Sequence, residues 1–392
     1  MEDQLTIGVT RDRYPTRFNT PKHSRHVVKP TRFVPTHRIW RRIEGMTMFW
    51  PTRCDLLHTV NRIPALPGKN YVITFESHLP RHFGGERTKL FAYMRRRLAD
   101  PQCRRIIAMS QFARRAFLAT HTGADEFEAL NAKLDVVYPN IVLPEPALKP
   151  RRQLPLQIAF VGSHFGRKGG AVAARVAEIA RLRRLPLHVH IISSLDVGGG
   201  VWTDPRDASF FAPYLELLGG DNVTFQRSAP NDQVLDVLRA ADFSLLTTLS
   251  DTFGYTAIES LAVGTPVIAT PQGALPEFVL DRQNGLIIPL EVDVYGEWIH
   301  LGRSDKDSRR FEALYRDEIE RMAQAVVEAL IPYIDAPDSL AAMRLDARAT
   351  AERRFDSRAT SAVLDHIYEE AATAPVTRRL APVTVDRRSD RR

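Results

Sequence analysis

The sequence predicts an α/β protein of two domains, each built on a parallel sheet covered by helices on both faces. Three observations carry that reading. A chain of 392 residues is longer than one ordinary hydrophobic core accommodates. From residue 157 onward, short apolar runs alternate with amphipathic stretches of about ten residues, the pattern of strands feeding crossover helices. Before that region lies the segment 144–155, whose four prolines and several charges read as a linker.

The elements follow in order. Residues 1–70 show no clear series: Pro15, Pro21, Pro30, Pro35 and Pro51 recur among arginines, and only short apolar stretches such as Asp55-Leu-Leu-His-Thr-Val60 appear. Residues 71–75 read as a buried strand. A helix is expected around 90–98, a strand over 105–110, a helix over 111–119, and a third strand over 135–138, broken by Pro139. After the linker come a strand at 157–161, a glycine-rich turn at 162–169, a helix at 171–182 and a strand at 187–192. A strand near 223–225, a helix at 232–240, a strand at 243–247 and a helix at 255–263 continue the alternation, and strands at 266–269 and 286–288 complete it. Residues 311–372 read as helices only, and 376–392 as a disordered tail. Both halves are therefore expected to be Rossmann-like.

Composition narrows the function classes. The 44% apolar and 26% charged fractions are those of a globular protein, and no apolar run of eighteen residues predicts a membrane span. The opening MEDQLTIGVT shows no secretory pattern. Cys54 and Cys103 form neither a metal-ligand spacing nor a disulfide framework, which suits a reducing cytoplasm. Net charge is +8 and is unevenly placed: residues 11–42 hold ten Lys and Arg against the single acid Asp12, and a second basic cluster runs from Arg378 to Arg392. No zinc-finger, RNA-binding or basic-heptad pattern accompanies them, so no nucleic-acid partner is expected. Simple solubility, or a loose peripheral attraction to an anionic membrane surface, is the expectation instead.

Two motifs carry chemistry. The first is the turn Gly162-Ser-His-Phe-Gly-Arg-Lys-Gly-Gly170, set between a strand and a helix. Its glycines let the backbone approach an anion, the helix start offers N–H groups, and Lys168 adds a point charge. The second is Ser250-Asp-Thr-Phe-Gly-Tyr-Thr-Ala-Ile-Glu-Ser260. Asp251 precedes a helix and Glu259 lies little more than one turn inside it, so both carboxylates reach the crevice at the carboxyl edge of the sheet. The amides of Gly254, Tyr255 and Thr256 face the same crevice and suit a diphosphate. A carboxylate such as Glu259 can accept hydrogen bonds from two ribose hydroxyls.

Residues 157–290 resemble the donor domain of the retaining group-1, or family 4, glycosyltransferases of GT-B fold. The resemblance rests on Asp251-Thr-Phe-Gly-Tyr-Thr-Ala-Ile-Glu-Ser-Leu-Ala-Val-Gly-Thr-Pro-Val267, followed by Gly273-Ala-Leu-Pro-Glu277 and Asn284-Gly-Leu-Ile-Ile-Pro289. Phe355-Asp-Ser and His366-Ile-Tyr resemble the family's C-terminal ending. The implied architecture is GT-B: an acceptor-side domain over 1–148, a nucleotide-sugar donor domain over 149–335, helices over 336–375 that pack back across the domains, and the basic tail 376–392. The implied roles are Glu259 on the ribose, Asp251 beside the donor sugar and its phosphates, and Lys168 on the diphosphate. Two departures stand out. Asp251 replaces the usual Glu and falls short by about 1.5 Å. Ser163 stands where the family carries an arginine, and Arg167 is the candidate for that second charge. In the N-terminal half, Glu76 and His78 follow the strand at the place of the family's histidine.

The implied reaction moves a hexose from a nucleotide diphosphate sugar to a hydroxyl of a glycan or lipid-linked acceptor, with retention, in bacterial glycan or polysaccharide assembly. No cofactor and no metal are expected; Asp305-Lys-Asp307 has no strand before it and reads as a solvated loop. A nucleotide-sugar epimerase of similar fold, or a catalytically silent sugar-nucleotide binder, are the competing readings.

Overall fold

A computed structural model describes residues 4–10, 18–34, 45–50, 53–66, 68–82, 84–145 and 154–373. The tail 376–392, most of the linker and parts of the basic segment 11–42 lie outside them.

The first sheet runs Val27–Thr31, Thr6–Thr10, Leu56–Val60, Tyr71–Phe75, Cys103–Ala108, Leu134–Val136, every neighbour parallel. Three of these strands lie within residues 1–70, where the sequence showed no series. Their signal is short: five residues each, and Val27–Thr31 contains Pro30. Proline is admissible there because the strand is an edge of the sheet. Phe33–Val34, Met46–Phe49 and Ile63–Pro64 form a further small sheet beside it. The helices Lys89–Ala99 and Gln111–His121 begin at side-chain caps, Thr88 accepting from Phe91 N and Ser110 from Ala113 N.

The second sheet runs Val223–Gln226, Leu187–Ile192, Leu156–Val161, Phe243–Leu246, Val267–Ala269, Gly285–Ile287, again all parallel. Its central strands are buried on both faces, which explains their continuous apolar runs. The helix Gly170–Leu182 packs against the long helix Arg309–Asp335, and Tyr255–Ala262 packs against Asn231–Ala240 and Leu340–Phe355. The last helix, Ser357–Thr373, returns to the first sheet and covers Leu56–Val60, Tyr71–Phe75 and Cys103–Ala108. There the Ser361 hydroxyl accepts from the backbone of Lys22 and His23, and Asp365 accepts from Ser24 and Arg25.

An apolar core spans the two halves. Phe18, Met109, Phe112 and Ile141 from the first pack with Leu246, Phe253, Ala257 and Leu275 from the second. Phe18 stacks on Tyr255, ring centroids 4.4 Å apart. Burying each such phenylalanine contributes about 1.5–3 kcal/mol, so this contact holds the two sheets in one arrangement.

Candidate active site

The second sheet fixes where the site lies. Numbered along the chain, its strands stand in the order three, two, one, four, five, six, and the order reverses between Leu156–Val161 and Phe243–Leu246. Ligands of open α/β sheets bind at the carboxyl ends of the strands flanking such a reversal. The loops leaving these two strands are the two motifs, 162–169 and 247–254. They touch: Gly169 has φ +91°, and a Cβ there would lie 2.3 Å from Thr247 Oγ1, so only glycine fits.

Between these loops and the first domain lies a cleft of about 1180 Å³. Gly162, Arg167, Lys168, Asp251, Tyr255, Thr256 and Glu259 line it from one side, and Glu76 and His78 from the other. The sequence candidates therefore meet in one place, with one exception. Gly254 is not on the wall. It sits behind it with φ +83°, close against Leu275 and Leu246, and turns the chain into the helix Tyr255–Ala262. That helix starts with no side-chain cap, and its first residues Tyr255 and Thr256 line the cleft, so its positive end faces it.

Lys168 and Asp251 form an ion pair. Burial alone would raise the Asp251 carboxyl, but the Lys168 and Arg167 charges hold it below its ordinary value. Burial lowers the Lys168 ammonium, with Asp251 opposing. The Asp251 backbone N–H donates to Gln272 Oε1 at 2.6 Å. Glu259 is only 7% exposed, more enclosed than a residue on an open crevice. Its Oε1 accepts from Asn231 Nδ2 at 2.8 Å, and burial pushes its carboxyl above the usual range. The Tyr255 hydroxyl accepts from Asn19 Nδ2 of the first domain at 3.1 Å.

On the first domain's side, the strand Tyr71–Phe75 ends at the cleft. Glu76 is paired with Arg81 at 2.5 Å. Burial lowers the His78 imidazole below its ordinary value. Both sequence candidates thus border the cleft, one as part of an ion pair and one as a half-buried ring.

The sequence reading missed Trp202, Asn231, Arg227, Gln272 and Glu297, four of which line the cleft while Gln272 supports Asp251 from behind. Each comes from a connecting loop or a helix start. Trp202 carried the one sequence signal among them, a tryptophan two residues after the glycine run Gly198–Gly200.

Comparison with known proteins adds to this geometry. Residues 149–299 match the family "Glycosyl transferases group 1". The D-inositol 3-phosphate glycosyltransferase of Mycobacteroides abscessus is 31% identical over 190 residues, 45% of this chain and 41% of the relative. That of Thermobispora bispora is 30% identical over 238 residues, 59% of this chain and 48% of the relative. The chain spans less than half the length of these curated relatives. Among solved structures, a glycosyltransferase from Rickettsia africae has a TM-score of 0.61 at 14% identity, covering 95% of this chain and 100% of that one. Anabaena HepE in complex with UDP-glucose has a TM-score of 0.57 at 15% identity, covering 95% and 100%. The fold is GT-B: two Rossmann-like domains facing a cleft, with C-terminal helices.

Proposed function

We propose that this protein is a retaining glycosyltransferase that moves a hexose from a nucleotide diphosphate sugar to a hydroxyl of a glycan or lipid-linked acceptor, in bacterial glycan or polysaccharide assembly. The observation that carries the reading is the convergence of Lys168, Asp251 and Glu259 on one cleft at the reversal of the second sheet. The names of the relatives and the UDP-glucose held by Anabaena HepE support it.

In this reading the anomeric C–O bond to the diphosphate breaks as the acceptor oxygen bonds to the same carbon, and the acceptor's hydroxyl proton passes to the departing diphosphate. Negative charge builds on the departing diphosphate, and Lys168, Arg167 and the start of helix Tyr255–Ala262 are the fixed positive groups that meet it. Glu259 accepts hydrogen bonds from the ribose. Asp251 orients Lys168 and borders the donor sugar. Glu76, through Arg81, and His78 border the sugar and the acceptor from the opposite wall. No metal enters this scheme.

The two buried cysteines Cys54 and Cys103 favour a cytoplasmic setting. Among the described residues no helix is long and apolar enough to cross a membrane. The basic ends supply the proposed peripheral attraction to anionic lipid.

A thermal-shift panel with UDP-glucose, GDP-mannose, ADP-glucose and dTDP-glucose tests the donor site, since a ligand at one hundred times its Kd stabilises by about 2.7 kcal/mol. The stabilising donor is then incubated with and without acceptors, D-inositol 3-phosphate among them. A sugar-transfer product that requires the acceptor supports the reading. Sugar isomerisation without acceptor would establish the epimerase, and binding with neither hydrolysis nor transfer the silent binder.

A further inference from the structure

Arg167 is a cation set in an unusual environment. The residue is 8% exposed and makes no ion pair among the described residues. Its Nη1 donates to the Ser250 carbonyl, and its buried Nε has no hydrogen-bond partner among the described residues. Its charge faces the Asp251 and Asp204 carboxylates without a direct ion pair to either, and a buried charge is costly unless its surroundings compensate it. Part of the compensation is Trp202, whose ring centroid lies 4.6 Å from the guanidinium carbon.

Trp202 is itself held for this position. Its Nε1 donates to Ser250 Oγ at 3.3 Å, so the indole and the guanidinium both attach to Ser250, the residue before Asp251. Lys306 donates to the Trp202 carbonyl, and the next two residues, Thr203 and Asp204, are buried anchors. Asp204 accepts from the Tyr315 hydroxyl at 3.0 Å. Yet Trp202 is 55% exposed and lines the cleft. A large apolar ring kept partly in solvent by so many attachments is placed there for what it holds.

We propose that Trp202 is a positioning residue that aims Arg167, already assigned to the leaving-group site beside Lys168, at the diphosphate of the donor. The inference rests on the nucleotide-sugar reading above. An incoming diphosphate adds a negative partner in direct reach of Arg167, and the indole face fixes the guanidinium plane so that its remaining N–H groups meet the phosphate oxygens.

The test uses the full chain and calorimetric titration with UDP, GDP, ADP and dTDP, each beside its nucleoside. Trp202→Leu removes the ring face and Trp202→Phe keeps it. For the tightest diphosphate, Trp202→Leu is expected to lower affinity roughly tenfold, with Arg167→Gln giving a similar loss. Nucleoside affinity should stay within about twofold, and Trp202→Leu should add nothing in the Arg167→Gln background. Trp202→Phe should restore most of the diphosphate affinity, which a loop that had merely unfolded would not allow. Unchanged diphosphate affinity in Trp202→Leu, equal loss for nucleoside and diphosphate, or additive losses in the double variant would overturn the role of Trp202 alone. If the wild-type protein bound none of the four diphosphates, the nucleotide-sugar reading itself would fail.

Discussion

Glu277 of the second domain caps the helix that starts at Gln111–Phe112 in the first: Oε1 accepts from Phe112 N at 2.6 Å and Oε2 from Gln111 N at 2.9 Å. Oε2 also accepts from the Tyr138 hydroxyl at 2.7 Å. A carboxylate at a helix start satisfies otherwise unpaired amides and meets the positive end of the dipole. The same loop supports the cleft. Gln272 accepts from Asp251 N, and Gly273 lies so close to the Asp251 carbonyl that a Cβ there would stand 2.1 Å away. One short segment therefore links Asp251 to the opposite domain.

Replacing Glu277 by Ala should cost about 1–2 kcal/mol, by loss of the cap and its charge. Sugar transfer should fall while nucleotide affinity, set within the second domain, is retained. Urea denaturation and calorimetry on the same preparation check both parts. Equal loss of nucleotide affinity and transfer would show that the segment serves the donor site directly and does not link the domains.

Asp251→Glu should be tolerated, since Glu can still reach Lys168, whereas Asp251→Ala leaves a buried ammonium without its partner. Turnover of the alanine variant is expected to fall at least about tenfold, the size of one charge-assisted hydrogen bond. Steady-state rates with a saturating donor decide it. Full turnover in Asp251→Ala would remove this residue from the reaction.

Asp204 gives a pH dependence of stability. Burial pushes its carboxyl up to about 6, against hydrogen bonds from Thr203, Tyr315 and the Gly198 amide. The folded state then binds the proton more tightly than the unfolded chain does. The contribution is complete below the unfolded value near 4 and is lost as pH rises through about 6. A rise of about two pKa units, at ~1.4 kcal/mol each, amounts to roughly 3 kcal/mol. Urea midpoints for the wild type should decline across that window, and Asp204→Asn should flatten the decline. An identical profile in the variant would assign the pH dependence to other groups.

Transfer should persist in excess chelator, because the scheme meets the leaving charge with Lys168, Arg167 and a helix start. Asp305, the first acid of the Asp305-Lys-Asp307 pattern, is paired with Arg303 and accepts from Ser308 beside the long helix Arg309–Asp335. Loss of activity in chelator that manganese or magnesium restores would contradict the metal-free scheme.

Legibility along the chain followed burial. The second sheet was read strand by strand because its buried strands are continuous apolar runs separated by amphipathic helices. Thr6–Thr10, Val27–Thr31 and Leu56–Val60 lay hidden because five-residue strands among prolines and arginines give no period. Asp251 and Glu259 were found through the spacing of an ordered motif. The ion pair joining Asp251 to Lys168 was not, because the two are 83 positions apart and only the sheet order brings their loops together. Trp202 and Glu277 show the same limit: one attaches to Ser250 and the other to Phe112, contacts that no local pattern encodes.

The central claim is that Glu259 holds the ribose of a nucleotide, and calorimetric titration of Glu259→Ala measures it most directly. Hydrogen bonds to a charged group contribute about 1.5–3 kcal/mol, so nucleotide affinity should fall roughly ten- to one-hundredfold. A 2′,3′-dideoxy nucleotide should bind the wild type weakly, and should bind the variant about as well as the normal nucleotide does. Unchanged nucleotide affinity in a folded Glu259→Ala protein would mean that the nucleotide is held elsewhere, and would contradict the account.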